Sequence, residues 1–276
     1  MNRKAREVAA VESGTGVLTS LIAFIVQEMR DLGLTIKEIG ECFYRLVTMP
    51  DGRETLKNFI GLIVEPVMFL RALRFRPLKD EEVPARLQWL VVIWRQIAKV
   101  LGYDGPVAWL VPKGFTFKKH APKLGPCRED FRYLQEWNFP DDPTERVLAF
   151  WIPRVIPESN YKNVSEHLSF LGEWRNRFGL PAHHLSGFGK VGLLAGLILC
   201  HFKHSQEKVP FSGQWVRTDT LAVGRNRLNL GDFSGSLDCE HWHWDDEDRY
   251  EDLWAFALGV ESLKTGELEN LEPFAA

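Results

Sequence analysis

The apolar positions of this chain change period about two-thirds of the way along, from helical steps to alternation. From Gly14 to Gly33 the residues Val17, Leu18, Leu21, Ile22, Ile25 and Met29 recur at three- and four-residue steps, the spacing that lines one face of a helix. A second helix is predicted from Thr35, an N-cap followed three residues later by Glu38, to about Thr48, where Pro50, Asp51 and Gly52 make a turn. Arg53 to Phe75 keeps helical spacing but is kinked by Pro66, and a fourth helix is expected from Pro84 to Leu101. Four amphipathic segments with short turns read as a helical bundle spanning 1–101.

Beyond Gly102 the breakers Gly105, Pro106, Pro112, Gly114, Pro122, Gly125 and Pro126 predict a boundary or a loop-rich connection. Short strands are expected at Val107 to Val111 and Arg146 to Ile152, with a short helix at Arg128 to Trp137 between them. Helices resume over Val164 to Phe178 and Phe188 to His204; the second is the most apolar in the chain and is expected at the centre of a core. From Gln214 to Glu261 the segments QWVRTDTLAV, RNRLNLGDF, SLDCEHWHWD and LWAFALGVE alternate between turn signals, which predicts an antiparallel meander of about four strands. The expectation is an α+β fold, with an α+β domain over 102–276 ending in a C-terminal antiparallel sheet. After Ser262 the tail is polar.

Composition narrows the picture only slightly. The 276 residues are 45% hydrophobic and 26% charged, an ordinary globular balance, with 10 Trp and 18 Phe as the unusual component. Large aromatics serve both cores and stacking surfaces, so their number selects neither. A net charge of −3 supplies no global attraction for phosphate backbones, which makes nucleic acid an unexpected partner. Cys42, Cys127, Cys200 and Cys239 are too far apart for a zinc knuckle or a redox pair and read as reduced core thiols. The apolar run Val191 to Phe202 is shorter than the roughly 20 residues a membrane span requires, and the basic N-terminus has Glu7 and Glu12 and no small-residue cleavage site. A cytoplasmic location with no membrane partner and no cofactor is the expectation.

The blocks KHAPKLGPCRE, LAGLILCHFKHSQEKVP, WVRTDT, RLNLGDF and FALGVE resemble a group of proteins encoded by small-genome candidate-phylum bacteria. That resemblance covers over half the chain and implies no known activity. RLNLGDF and LGVE, with polar, aromatic and histidine positions between them, also look like the variable repeat of C-type-lectin-like target proteins of diversity-generating retroelements. This second likeness implies a lectin-like fold that displays a changeable binding face, although Glu240 and Glu247 depart from the residue types usually diversified there.

Two readings of Gly235 to Tyr250 follow. In the first, Trp242 and Trp244 stand beside Asp246 and Tyr250 as a stacking platform for a ligand, and the protein is a non-enzymatic binder of a ligand or protein partner through its C-terminal sheet. In the second, His241, His243 and Glu247 hold a metal, in a spacing similar to the first metal-binding motif of cupins, and the protein is a metal-dependent enzyme. The cupin pattern is broken at Trp254, where a glycine is expected, and no second motif with a further histidine follows. On a strand the tryptophan and histidine rows would face opposite sides, with the plainest arrangement packing the tryptophans and wetting the histidines.

Other sites carry less. His183 and His184 follow Pro181, His201 and His204 share a helix at a three-residue step, and Lys113, Lys118, Lys119, His120 and Lys123 form a basic patch interleaved with Phe115 and Phe117. Ser186, Gly187, Phe188 and Gly189 open a helix whose backbone amides could hold an anion.

Overall fold

The computed structural model describes residues 75–222, 226–241, 246–264 and 266–267, together with Thr35, Lys37, Glu38, Glu41 and Tyr44. Contacts divide the chain into a unit of residues Met1–Phe69 and a unit of residues Leu70–Ala276. In the first, Thr35 caps a helix as its sequence anticipates: the Glu38 amide donates to Thr35 Oγ1 at 3.3 Å and the Thr35 amide donates to Glu38 Oε2 at 2.8 Å. The helix expected over Gly14 to Gly33, and that expected over Arg53 to Phe75 apart from Phe75 itself, lie outside the described residues; Phe75 is not helical.

The second unit is mixed α+β, built around two four-stranded sheets. The first sheet has the order β1 (Arg76–Leu78), β2 (Ala108–Val111), β3 (Val147–Val155), β8 (Phe256–Ser262), antiparallel throughout. Leu148, Phe150 and Ile152 of β3 point to one core while Ala149 and Trp151 point to another, so this strand is covered on both faces. That burial explains why RVLAFWI reads as an unbroken apolar run.

On the first face lie helices α1 (Gln88–Val100) and α3 (Val164–Phe178), which contribute Leu90, Trp94 and Ile97, and Leu171 and Trp174. The sequence grouped α1 with the N-terminal bundle; its apolar stripe instead packs on strands that lie beyond Gly102. Helix α3 opens on the capping box of Asn163 and Glu166 and closes on Gly179, whose φ of 65° suits a residue without Cβ.

On the second face lies helix α4 (Val191–Ser205), apolar all round from Val191 to Cys200 and polar in its last turn. Ten of its residues are buried, because the second sheet covers the side that the first does not. The second sheet has the order β6 (Asp238–Glu240), β5 (Arg227–Gly231), β4 (Trp215–Leu221), β7 (Leu253–Trp254). The expected four-stranded meander is therefore corrected. β7 pairs with β4 in parallel, and β8 leaves for the first sheet after the single residue Ala255. Alternation identified the strands but carries no information on which sheet each joins.

Two further expectations change. Arg128–Glu136 is a 3-10 segment interrupted by left-handed backbone at Glu129, Asp130 and Phe131, with φ of 48°, 52° and 56°. The run turns the chain so that Phe131 reaches the core while both acidic residues stay exposed. The breaker-rich region also contains a helix, α2 (Phe117–Leu124), which tolerates Pro122 near its end. Among the described residues, no helix is long and apolar enough to cross a membrane.

The close fit of α4 yields a test. A Cβ on Gly196 would lie 2.0 Å from the Phe75 ring, which is itself buried edge-on against Phe115. Gly196→Ala should cost about 1–3 kcal/mol despite the better helix propensity of alanine. In a Phe75→Ala background the same change should become neutral or stabilising, an interaction that a double-mutant cycle of urea midpoints measures.

Candidate functional site

Alternation along β4 and β5 places Val216, Leu228 and Leu230 against α4 and turns Arg217, Asp219, Arg227 and Asn229 to the opposite face of the second sheet. This outer face is polar yet largely covered. Arg217 is only 1% exposed, and its Nε donates to His167 Nδ1 at 3.1 Å while Nη2 donates to the carbonyls of Lys162 and Asp248. Nη1 has no hydrogen-bond partner among the described residues, nor does Oδ1 of Asn229, the residue paired with Arg217 across the strands. Burial lowers the Arg217 guanidinium to about 10, still charged at neutral pH.

His167 accepts from Arg217 through Nδ1, so its Nε2 carries the proton and donates to the Ser159 carbonyl. Burial first, and the Arg217 charge second, bring its pKa down to about 4. Ser159 Oγ in turn accepts from the Ala255 amide. A buried chain thus ties the second sheet through α3 to the step between β7 and β8.

The sequence-selected residues fall around this layer. Asp246 receives both Nε and Nη2 of Arg227, at 2.8 and 3.1 Å, and its carbonyl accepts from the Val164 amide at the start of α3. Tyr250 packs on Trp215 and Leu253, and its hydroxyl donates to Asp248. Both are half-buried tie points rather than open contact positions. Trp242, His243 and Trp244 lie outside the described residues. Glu247 is exposed, and His241 sits edge-on to Trp137 with ring centroids 4.1 Å apart; neither joins a metal-spaced group among the described residues.

A cleft of about 480 Å³ opens at the edge of this sheet, between β6 and the 3-10 segment, and is lined by Arg128, Glu129, Tyr133, Glu136, Trp137, Cys239 and Glu240. Its frame is fixed by Asp238, which accepts from Arg128 Nη1 and from the Tyr133 hydroxyl, both at 2.6 Å. Arg128 also lies 3.8 Å from Glu240. Burial, followed by the Asp238 carboxylate, raises the pKa of Glu240 from its ordinary value. Three glutamates and two aromatic rings surround one arginine already held by an aspartate, so the cleft favours a cationic group with an apolar or planar body. None of these lining residues stood out in the sequence; the available signal was Glu240, which alternation with buried Cys239 turns outward.

Three other expectations meet the geometry. The Gly187 to Gly189 turn does hold an anion, but an internal one: the amides of Phe188 and Gly189 donate to Asp219 Oδ2 at 3.0 and 2.7 Å. The first-turn amides of α2 are likewise taken by Asp141, and Lys118 of the basic patch donates to the Trp137 carbonyl. His201 meets Glu207 and Ser205, while His204 is exposed. Cys127, Cys200 and Cys239 are buried thiols, and Cys200 Sγ donates to the Phe75 carbonyl.

Two outcomes are expected. Asp219→Ala, which strips an acceptor from two amides at the head of α4, should cost about 1–2 kcal/mol in chemical denaturation. For His167 the native pKa lies below the unfolded value of about 6.5, so its contribution is whole above pH 6.5 and is lost as pH falls towards 4, to a total of about 3 kcal/mol. Unfolding free energies of His167→Gln between pH 7 and pH 4.5 should therefore fall less steeply than those of the wild type. In comparisons with known proteins, no family model, no curated protein and no solved structure matches this chain.

Proposed function

We propose that the protein is a non-enzymatic binder of a ligand or partner segment, acting through the edge of its C-terminal sheet in the cleft between β6 and Arg128–Glu136. The observation that carries this reading is the lining itself, in which Trp137 and Tyr133 stand against Glu129, Glu136 and Glu240. A pocket of this size takes an amino-acid side chain or a small molecule. Its charge selects an amine or guanidinium, and the rings offer a face to the rest of the ligand. A platform of Trp242 and Trp244 beside Asp246 and Tyr250 is a sequence-based proposal of the same kind, in which Asp246 and Tyr250 anchor the segment. The pairing of Asp246 with Arg227 gives that segment a fixed point.

The finer readings of architecture are proposals of the same kind. An N-terminal helical bundle without α1 is supported by apolar spacing and by the Thr35 cap. A lectin-like display rests on RLNLGDF and LGVE, blocks that fall in β5 and β8, in two different sheets. Cytoplasmic residence agrees with three buried cysteines that stand as thiols.

The cleft is tested by titrating the intact chain with a short arginine-containing peptide and with its citrulline counterpart, following tryptophan fluorescence. The cationic peptide is expected to bind and the neutral one to bind at least tenfold more weakly. Trp137→Ala should weaken binding by about 1–2 kcal/mol. Affinity should fall as pH drops through the raised pKa of Glu240, because the protonated carboxyl no longer attracts the cation, and Glu240→Gln should flatten that profile. Equal binding of the two peptides, or none of either, overturns the proposal.

A further inference from the structure

Away from the cleft, the turn after Pro181 and the end of β8 bring His183, His184 and Glu261 together, with one ligand atom from each within 4.8 Å of the others. His183 Nε2 lies 2.8 Å from Glu261 Oε1, and His184 Nε2 lies 3.1 Å from the same oxygen. The geometry points to a divalent transition-metal site of the zinc type, made by His183, His184 and Glu261, whose affinity is held down by Trp94.

Four features build the site. His184 is fully buried, with its ring against both members of the stacked Trp94–Phe150 pair, at centroid separations of 5.8 and 5.9 Å. The ring fits there because residue 259 is glycine; a Cβ at that position would come within 2.5 Å of His184 Nδ1. Glu261 is anchored at the end of β8, where Arg86 Nη1 stands 3.9 Å from its second oxygen. His183 is exposed, so a bound ion would keep solvent-facing positions for water or a further ligand. Around a tetrahedral zinc with bonds of about 2.0–2.2 Å, donor atoms stand roughly 3.3–3.5 Å apart. The Glu261 oxygen must therefore withdraw slightly from the two imidazoles while the wider donor separation, within 4.8 Å, closes, changes that small rotations of exposed His183 and of the Glu261 carboxylate supply.

Trp94 works against occupancy for a specific reason. Its indole Nε1 donates to His184 Nδ1 at 3.2 Å. Nδ1 must then present a lone pair, and the proton of the neutral ring resides on Nε2, where it is donated to Glu261. A metal at Nε2 displaces that proton. It either moves to Nδ1 and breaks the Trp94 bond or leaves to solvent, whereas a metal-bound histidine ordinarily donates its second N–H to an acceptor. The pocket therefore combines a two-histidine, one-carboxylate donor set with a neighbour that favours the metal-free tautomer.

The test is isothermal titration of zinc chloride into the full chain lacking a histidine tag, for the wild type and for Trp94→Phe, His183→Ala and Glu261→Gln. Melting curves without metal establish that each variant is folded. One equivalent is expected to bind the wild type, about tenfold more tightly in W94F, where the opposing hydrogen bond is gone, and at least tenfold more weakly in H183A and E261Q. Zinc uptake that survives H183A and E261Q unchanged, or uptake by neither the wild type nor W94F, overturns the site. Equal affinity of the wild type and W94F overturns the role of Trp94.

Discussion

The second unit depends on the requirement that a helix apolar on every side be covered on every side. Up to its last turn, Val191–Ser205 has no polar face to give to water, so a single sheet leaves part of it exposed. The first sheet covers it with Trp109, Ala149, Trp151 and Leu258, and the second covers it with Val216, Leu228 and Leu230. At roughly 25 cal/mol per Å² of apolar area removed from water, this shared burial is the dominant favourable contribution to joining the two sheets. The small residues of the helix set how closely they approach, as Gly196 under Phe75 shows.

Once the helix is enclosed, its polar ends must be satisfied inside the protein. The start of α2 is met by Asp141, the turn leading into α4 by Asp219 and the Val191 amide by the Thr220 hydroxyl, and the start of α3 by its own Asn163 and Glu166. Helix N-termini that look ready for an external anion are thereby used up in building the fold. The same economy of charge leaves Arg217 with carbonyls and a neutral histidine, and no carboxylate in direct hydrogen-bond contact among the described residues. The open, chemically uncommitted groups lie instead at the edge of the second sheet and in the turn beside Trp94.

Local features were legible in the sequence, and long-range ones were not. The Thr35 cap, the span of α3 and the central place of α4 follow from neighbouring residues and from the absence of polar positions. Strands β4, β5 and β8 were visible as alternation, but sheet membership depends on pairing partners as distant as Ala149 and Val260. The left-handed turn at Glu129 to Phe131 has no glycine to announce it, which concealed the cleft that it shapes. Trp137, Tyr133 and Glu240 are ordinary residues in sequence and become a site only when the 3-10 segment is laid against β6. The histidine pair after Pro181 was visible as a pair, while the glutamate that completes it is 77 residues from His184.

The one-residue step at Ala255 also bears on the order of assembly. During synthesis, the first three strands of the first sheet emerge long before the fourth, and β3 offers an unpaired edge until Phe256–Ser262 arrives. The final strand reaches that edge by way of the second sheet, since β7 immediately precedes it. The two sheets therefore close as one late event, and a ribosome-bound chain ending before residue 256 presents an open strand to its neighbours.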